Sequence, residues 1–131
     1  MAEHWAIAYV GRSYDKAGFD CAHLVELVLR EQFGRQVRLP TDRPESNRAR
    51  DMSTQIRCRL EEFAQISTNP AEGDGVLMIG AGYINHIGVY CLISGRPYVL
   101  HNFINARQVC LHSWSELESW GMCVEGIYRW K

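Results

Sequence analysis

The sequence predicts a single α+β domain spanning residues 1–131, with helices in its first half and a mostly antiparallel sheet of about five or six strands in its second. Apolar residues recur at helical spacing from 24 to 33 and again from 56 to 63. After the turn at Gly73-Asp74-Gly75, short apolar runs follow one another, parted by Gly, Pro, Asn or Ser. Helices followed by strands are typical of α+β folds, and 131 residues suffice for one sizeable core.

The helix that begins at Cys21 organises the N-terminal part of the chain. Residues 3–10 predict a short helix, and 11–18 a loop bracketed by glycines. Asp20 stands where an N-cap would, and Gly34 where the helix ends. Cys21 therefore falls on the first turn, where unpaired N–H groups and the helix dipole stabilise a thiolate and lower a cysteine pKa.

The remaining elements follow from periodicity. Segment 35–52, rich in Arg and Pro, predicts a solvated connection, or alternatively a docking surface for a partner or an anionic polymer. A helix is predicted over 53–66 and a helical turn over 115–120. The predicted strands are 76–79, 85–93, 97–103, 109–113 and 123–130.

Charge and composition exclude several classes of function. A net charge of -1 provides no field for nucleic acid or an anionic membrane, and no apolar run is long enough to span a bilayer. The first residues lack the pattern of a signal peptide, so we expect synthesis in the cytoplasm. The five cysteines include no CxxC pair, which predicts neither a disulfide framework nor a zinc finger. Four of them (58, 91, 110 and 123) are predicted to be small core residues, and no cofactor is expected.

Two histidines are predicted to lie on one face of the sheet. Strand alternation places His86 and Gly88 together, opposite the apolar set that we assign to the core. If the next hairpin turns at Ser94-Gly95, Gly88 faces His101, and the Cα atoms of the two histidines lie roughly 7–8 Å apart. A thiol and two histidines predict a cysteine nucleophile: Cys21 attacks, His86 transfers the proton and His101 orients the His86 ring.

A metal site is the alternative use of these side chains. Cys21, His23, His86 and His101 are residue types that suit zinc. However, Cys21 and His23 are two residues apart on a helix and point to different sides, so we expect no metal. His4 and His112 show no evident partner and are predicted to be surface or structural residues, while three tryptophans (114, 120 and 130) are predicted to pack in the core or at its edge.

Three sequence blocks occur in a fixed order and together resemble a known family. Residues 11–14 (Gly-Arg-Ser-Tyr) precede 19–25 (Phe-Asp-Cys-Ala-His-Leu-Val), 73–78 (Gly-Asp-Gly-Val-Leu-Met) follows, and 86–90 (His-Ile-Gly-Val-Tyr) is followed by Gly95 and His101-Asn102. These blocks are similar to those of the NlpC-type cell-wall cysteine peptidases over about residues 5–103.

The resemblance implies a papain-like fold, with the nucleophile helix packed on an antiparallel sheet, and an activity on peptidoglycan stem peptides. It gives Cys21 as nucleophile, His86 as base, His101 as the third polar residue and Tyr14 as a hydroxyl donor to the oxyanion. The bond implied is the γ-D-glutamyl–diaminopimelate amide, cut through a thioester. Residues beside this set are expected to border the substrate: Asp20, Ala22, His23 and Asn85.

The chain departs from the family at Ala22-His23, where a Ser-Gly pair is usual, which leaves stem-peptide specificity open. His23 is interpreted as a surface helix residue or a wall of the substrate groove. The end of the nucleophile helix and residues 124–129 resemble the stand-alone branch found in phage tails and prophages. Other tail proteins are therefore expected partners, and the host cell wall the place of action. Two alternatives remain: an amidase or acyltransferase with the same triad, or a non-catalytic tail-assembly subunit.

Overall fold

The computed structural model describes residues 3–15, 18–39, 64–80 and 83–131, with the backbone alone at 83–85. The described residues form one small α+β domain, as predicted. Most of the predicted second helix, residues 53–63, and residues 40–52 of the Arg-rich segment lie outside the described residues, as does Cys58. Within the described part of the chain, no helix is both long enough and apolar enough to cross a membrane.

One helix and six antiparallel strands make up the described domain. The helix α1 spans Cys21–Phe33, and the strands are β1 (Ala64–Ile66), β2 (Gly75–Gly80), β3 (Tyr83–Ile93), β4 (Arg96–Phe103), β5 (Gln108–Ser113) and β6 (Met122–Trp130). Short 3₁₀ turns occupy Trp5–Tyr9, Ile104–Ala106, Trp114–Glu116 and Glu118–Trp120. The strand order is β1-β6-β2-β3-β4-β5, so β2 to β5 form a meander and β6 returns between β1 and β2.

The ends of α1 agree with the sequence prediction. Asp20 Oδ1 accepts a hydrogen bond from the backbone N–H of His23, which satisfies one of the unpaired donors of the first turn. Gly34 terminates the helix in the left-handed region, with φ of 63°. Between these caps, the helix buries one apolar face against the sheet, formed by Leu24, Val25, Val28 and Leu29.

The sheet is covered on both faces. Ile87, Val89 and Cys91 of β3 pack in the same cluster as the apolar face of α1, as predicted. The alternate residues of the strands form a second buried cluster on the other face, which also receives Leu117 and Met122 from the C-terminal segment. Because both faces of the sheet are buried from solvent, polar side chains that point into either of them must find hydrogen-bond partners within the protein.

Three predictions about elements and packing are wrong. Residues 64–66 are not the end of a helix but the strand β1, in which Ala64 pairs with Trp130. Cys123 is exposed and Cys110 is half-buried, so of the described cysteines predicted as core residues only Cys91 is fully buried. The segment that contains Trp120 breaks into two 3₁₀ turns, which leave half of the Trp120 surface (50%) exposed.

Candidate functional site

Cys21 is the first residue of α1 and lies in the main core cluster, with 6% of its surface exposed. The first turn of a helix generally favours a thiolate over a thiol, because its N–H groups and the helix dipole stabilise negative charge. No disulfide involves Cys21, Cys91, Cys110 or Cys123, the cysteines of the described residues. The sequence prediction of a thiol at the start of a buried helix is therefore confirmed.

The residues next to Cys21 build the helix cap. The Nδ1 atom of His23 accepts from the backbone N–H of Asp20 at 3.1 Å, while Asp20 Oδ1 accepts from His23 N at 3.0 Å. This reciprocal capping box gives His23 a local structural role that the sequence analysis did not identify. The His23 ring also borders a groove of about 420 Å³ beside α1, and Ala22 packs in the core. The side chain of Asn85 lies outside the described residues.

His86 and His101 are in direct contact. The turn between β3 and β4 consists of Ser94 and Gly95, whose φ values of 54° and 76° are typical of a two-residue hairpin. In the resulting register, Val89 pairs with Leu100, which places Gly88 opposite His101. The His86 Nε2 and His101 Nδ1 atoms are 2.7 Å apart, in a buried hydrogen bond. The predicted hairpin and the predicted meeting of the two histidines are confirmed.

Gly88 makes this approach of the two strands possible. A Cβ atom at this position would lie 2.6 Å from Val99 Cγ1, 2.9 Å from the carbonyl oxygen of Leu100 and 3.0 Å from His101 Cβ. Contacts this short are not tolerated in a well-packed interior. The absence of a side chain at position 88 therefore keeps His101 close to β3 and within reach of His86.

A third histidine, His112, extends the pair, and the sequence did not predict this contact. In β5, Cys110 pairs with His101 and His112 with Val99, so His112 lies diagonally across from His101 on the same face. The His101 Nε2 and His112 Nδ1 atoms are 2.8 Å apart. The Trp120 ring stacks on the His112 ring, with 4.9 Å between centroids and an angle of 18°. The prediction that His112 has no partner is therefore wrong.

Burial keeps the three rings uncharged near neutral pH. It lowers the pKa of His86 to about 4, while the nearby carboxylate of Asp20 acts in the opposite direction. Burial also holds the pKa of His101 well below its ordinary value, and its two histidine neighbours lower it further. For His112, burial lowers the pKa and the carboxylate of Glu116 opposes this effect. Neutral rings can accept a proton, which is the property that a general base needs.

Asn102 connects the sheet to the start of the helix. Its Nδ2 atom donates to the carbonyl oxygens of Phe19, at 2.7 Å, and Asp20, at 3.3 Å. The Oδ1 atom of Asn102 is buried and has no hydrogen-bond partner among the described residues. Because Asn102 directly follows His101, this contact holds the residues before Cys21 against β4, the strand that carries His101.

Tyr14 lies half-buried in a loop that runs beside β5. Its backbone N–H donates to the carbonyl oxygen of Arg107 at 3.0 Å, and Ser13 forms an isolated bridge with Gln108. Asp15 and Phe19 exchange two backbone hydrogen bonds, of 2.9 Å and 2.7 Å, which close the loop just before the N-cap of α1. The loop is thus tied at one end to β5 and at the other to the start of α1.

The structure brings two of the predicted site residues, His86 and His101, into contact. Asp20, which precedes Cys21, interacts electrostatically with His86. Strand alternation places the histidines on the sheet face opposite the body of α1. Among the described residues, no three His, Cys, Asp or Glu side chains are arranged to hold a metal ion.

Comparisons with known proteins identify no relative. No protein-family model, curated protein or solved structure matches the chain.

Proposed function

We propose that this chain is a cysteine peptidase of the papain-like NlpC type, which hydrolyses an amide bond in peptidoglycan stem peptides. The observation that carries the proposal is the buried hydrogen bond between His86 Nε2 and His101 Nδ1, at 2.7 Å. Because this bond occupies Nε2 of His86, Nδ1 is the ring nitrogen that can accept the thiol proton. Cys21, the proposed nucleophile, follows Asp20, whose carboxylate already acts on the His86 ring.

The reaction proceeds in two halves. His86 Nδ1 takes the Cys21 proton while the sulfur bonds to the carbonyl carbon of the scissile amide, which forms a tetrahedral oxyanion. His86 then gives that proton to the leaving nitrogen, the C–N bond breaks, and a thioester to Cys21 remains. A water molecule attacks the thioester with His86 again as base, which releases the acid and restores the thiol.

The oxyanion needs donors that are in place before it forms. We assign the backbone N–H of Cys21, at the start of α1, and the hydroxyl of Tyr14 to this role. The Tyr14 loop supports the assignment because it is anchored to both β5 and the start of the helix. His101 orients His86 and holds the tautomer that leaves Nδ1 able to accept.

The substrate and setting follow from the resemblance described above. The proposed bond is the γ-D-glutamyl–diaminopimelate amide, and the proposed setting is a phage or prophage tail that acts on the host cell wall. Ala22 and His23 replace the usual Ser-Gly pair, and His23 is engaged in the helix cap. The contacts made by the pair in other members must therefore differ here, so we expect altered stem-peptide preference.

The test is digestion of purified peptidoglycan, followed by mass spectrometry of the released fragments. We expect the unaltered protein to release fragments with a new amino group on diaminopimelate, and Cys21→Ser to release none. Cys123→Ser, which changes an exposed cysteine on β6, is the matched control and should retain activity. Release of fragments cut at another amide would favour the amidase alternative. Equal products from Cys21→Ser and the unaltered protein would refute the peptidase proposal.

A further inference from the structure

The histidine pair is part of a longer chain of rings that a Cys-His-His triad does not require. Nε2 of His86 meets Nδ1 of His101, and Nε2 of His101 meets Nδ1 of His112, at 2.7 Å and 2.8 Å. Every link therefore joins the Nε2 atom of one ring to the Nδ1 atom of the next. Such a uniform polarity allows all links to be hydrogen bonds with one proton per neutral ring.

We propose that His112 is a positioning residue that completes this chain and receives, through His101, the positive charge created when Cys21 loses its proton. The proposal rests on the proposed function, because it assumes that Cys21 delivers its proton to Nδ1 of His86. It adds a residue and a proton path to the Cys-His-His arrangement.

The proton path balances atom by atom. In the resting state each of the three rings carries its hydrogen on Nε2. The thiol proton passes to His86 Nδ1, the His86 Nε2 proton passes to His101 Nδ1, and the His101 Nε2 proton passes to His112 Nδ1. His86 and His101 end neutral with hydrogen on Nδ1, His112 ends as an imidazolium, and Cys21 ends as a thiolate. His86 then holds the Nδ1–H that the leaving nitrogen needs, and the other protons return when it is given up.

Burial explains why the charge moves outward along the chain. His101 has no exposed surface, whereas His112 lies nearer the rim, with 8% of its surface exposed. A charge costs more in the fully buried ring than at the rim. The groups that face His112 are His101 and Phe103 from β4, Glu116 and Trp120.

Two of these neighbours favour a positive His112. The Glu116 side chain acts to raise the pKa of His112, and it is fixed by the hydrogen bond from Ser113 N to its Oε1, at 2.7 Å. The stacked Trp120 presents its electron-rich face to the ring, an arrangement that attracts a cation. Accordingly, burial lowers the pKa of His112, and the Glu116 carboxylate opposes this effect.

The first experiment measures the alkylation rate of Cys21 by iodoacetamide between pH 5 and 9, with peptide mapping to identify the thiol. No substrate is needed. His112→Asn retains a side chain that can hydrogen-bond His101 but cannot take a proton, and His112→Phe removes both properties. Both variants should lower the rate at pH 6 by about tenfold or more, since one pKa unit is a tenfold change in thiolate. His4→Asn, at a remote N-cap where Asn is also a good cap, is the matched control and should stay within about twofold.

A second measurement leaves His112 unaltered, so it does not depend on the variants being folded. Imidazole ¹⁵N chemical shifts at pH 7 should show, in the unaltered protein, that each of the three rings carries its single hydrogen on Nε2, the tautomer that the proton path requires. A hydrogen on Nδ1 of His101 or His112 in the resting protein would overturn the proposal, and so would a full Cys21 alkylation rate at pH 6 in His112→Asn. Peptidoglycan hydrolysis is scored separately. If His112→Asn hydrolyses peptidoglycan and its Cys21 is alkylated at the full rate, only the proton path through His112 is refuted. If Cys21 alkylation depends on His112 but the unaltered protein hydrolyses no peptidoglycan, only the peptidase function is refuted.

Discussion

Gly88 has no room for a side chain, which makes Gly88→Ala the most informative single substitution. The new methyl group would meet Val99 Cγ1 at 2.6 Å and the Leu100 carbonyl oxygen at 2.9 Å. The second of these is a backbone atom, which a side-chain rotation cannot move. The strands β3 and β4 must therefore separate or shear, and they are the strands that carry His86 and His101.

The expected cost follows from overpacking a well-filled interior, which is typically about 1–3 kcal/mol. For a chain of 131 residues, an unfolding entropy of about 2.1 cal/mol/K per residue converts this cost into a fall in Tm of roughly 4–11 °C. The bond between His86 and His101 should also lengthen, so proposed peptidase activity should fall more than the fraction of folded protein does.

Urea unfolding of Gly88→Ala beside Gly80→Ala tests this expectation. Gly80 lies on β2, and the nearest atom of the described residues to a Cβ atom there would be the Gly121 carbonyl oxygen, at 3.9 Å. The control should therefore stay within about 0.5 kcal/mol of the unaltered protein. If Gly88→Ala and Gly80→Ala unfold at the same urea concentration with equal slopes, the steric argument for Gly88 is refuted.

Three further predictions concern other parts of the site. Since burial lowers the pKa of His86 from 6.5 to about 4, the unfolded chain binds a proton between these pH values that the folded one does not. Stability should therefore fall by about 3 kcal/mol as the pH falls from 7 to 4, and less in His86→Gln; equal pH dependence in both proteins would contradict this. Asn102→Asp should cost about 3 kcal/mol or more in urea unfolding, because a carboxylate would face two carbonyl oxygens, and an unchanged midpoint would count against the assigned contacts. Tyr14→Phe should lower turnover by about one to three powers of ten with unchanged stability, whereas full turnover would remove Tyr14 from the oxyanion site.

Local patterns in the sequence were sufficient for much of the fold. The apolar stripe of α1, its Asp20 cap and its Gly34 end are all short-range features, and the structure confirms them. The β3–β4 register was also accessible, because a two-residue Ser94-Gly95 turn fixes which residues face each other. The meeting of His86 and His101 follows from that register alone.

Features that depend on distant pairing could not be predicted in the same way. The strand β1 has three residues and exists because β6 binds it, with Ala64 opposite Trp130. Its residues continue an apparent helical pattern, so no local signal distinguishes them. His112 was missed because the four-residue connection between β4 and β5 lacks a turn signature that fixes its register. The exposure of Cys123 likewise depends on where β6 enters the sheet.

The position of β6 in the sheet has a consequence for the order of folding. Val76 of β2 pairs with Gly88, 12 positions later, on one side and with Ile127, 51 positions later, on the other. Closing the longer loop costs about 1.3 kcal/mol more in chain entropy, so we expect the β2–β5 meander to form before β6 docks. In stopped-flow experiments, mutations in the β3–β4 hairpin should then slow refolding, and mutations in β6 should mainly speed unfolding. All three histidines belong to the early-forming segment, so the ring chain can assemble before the sheet is complete.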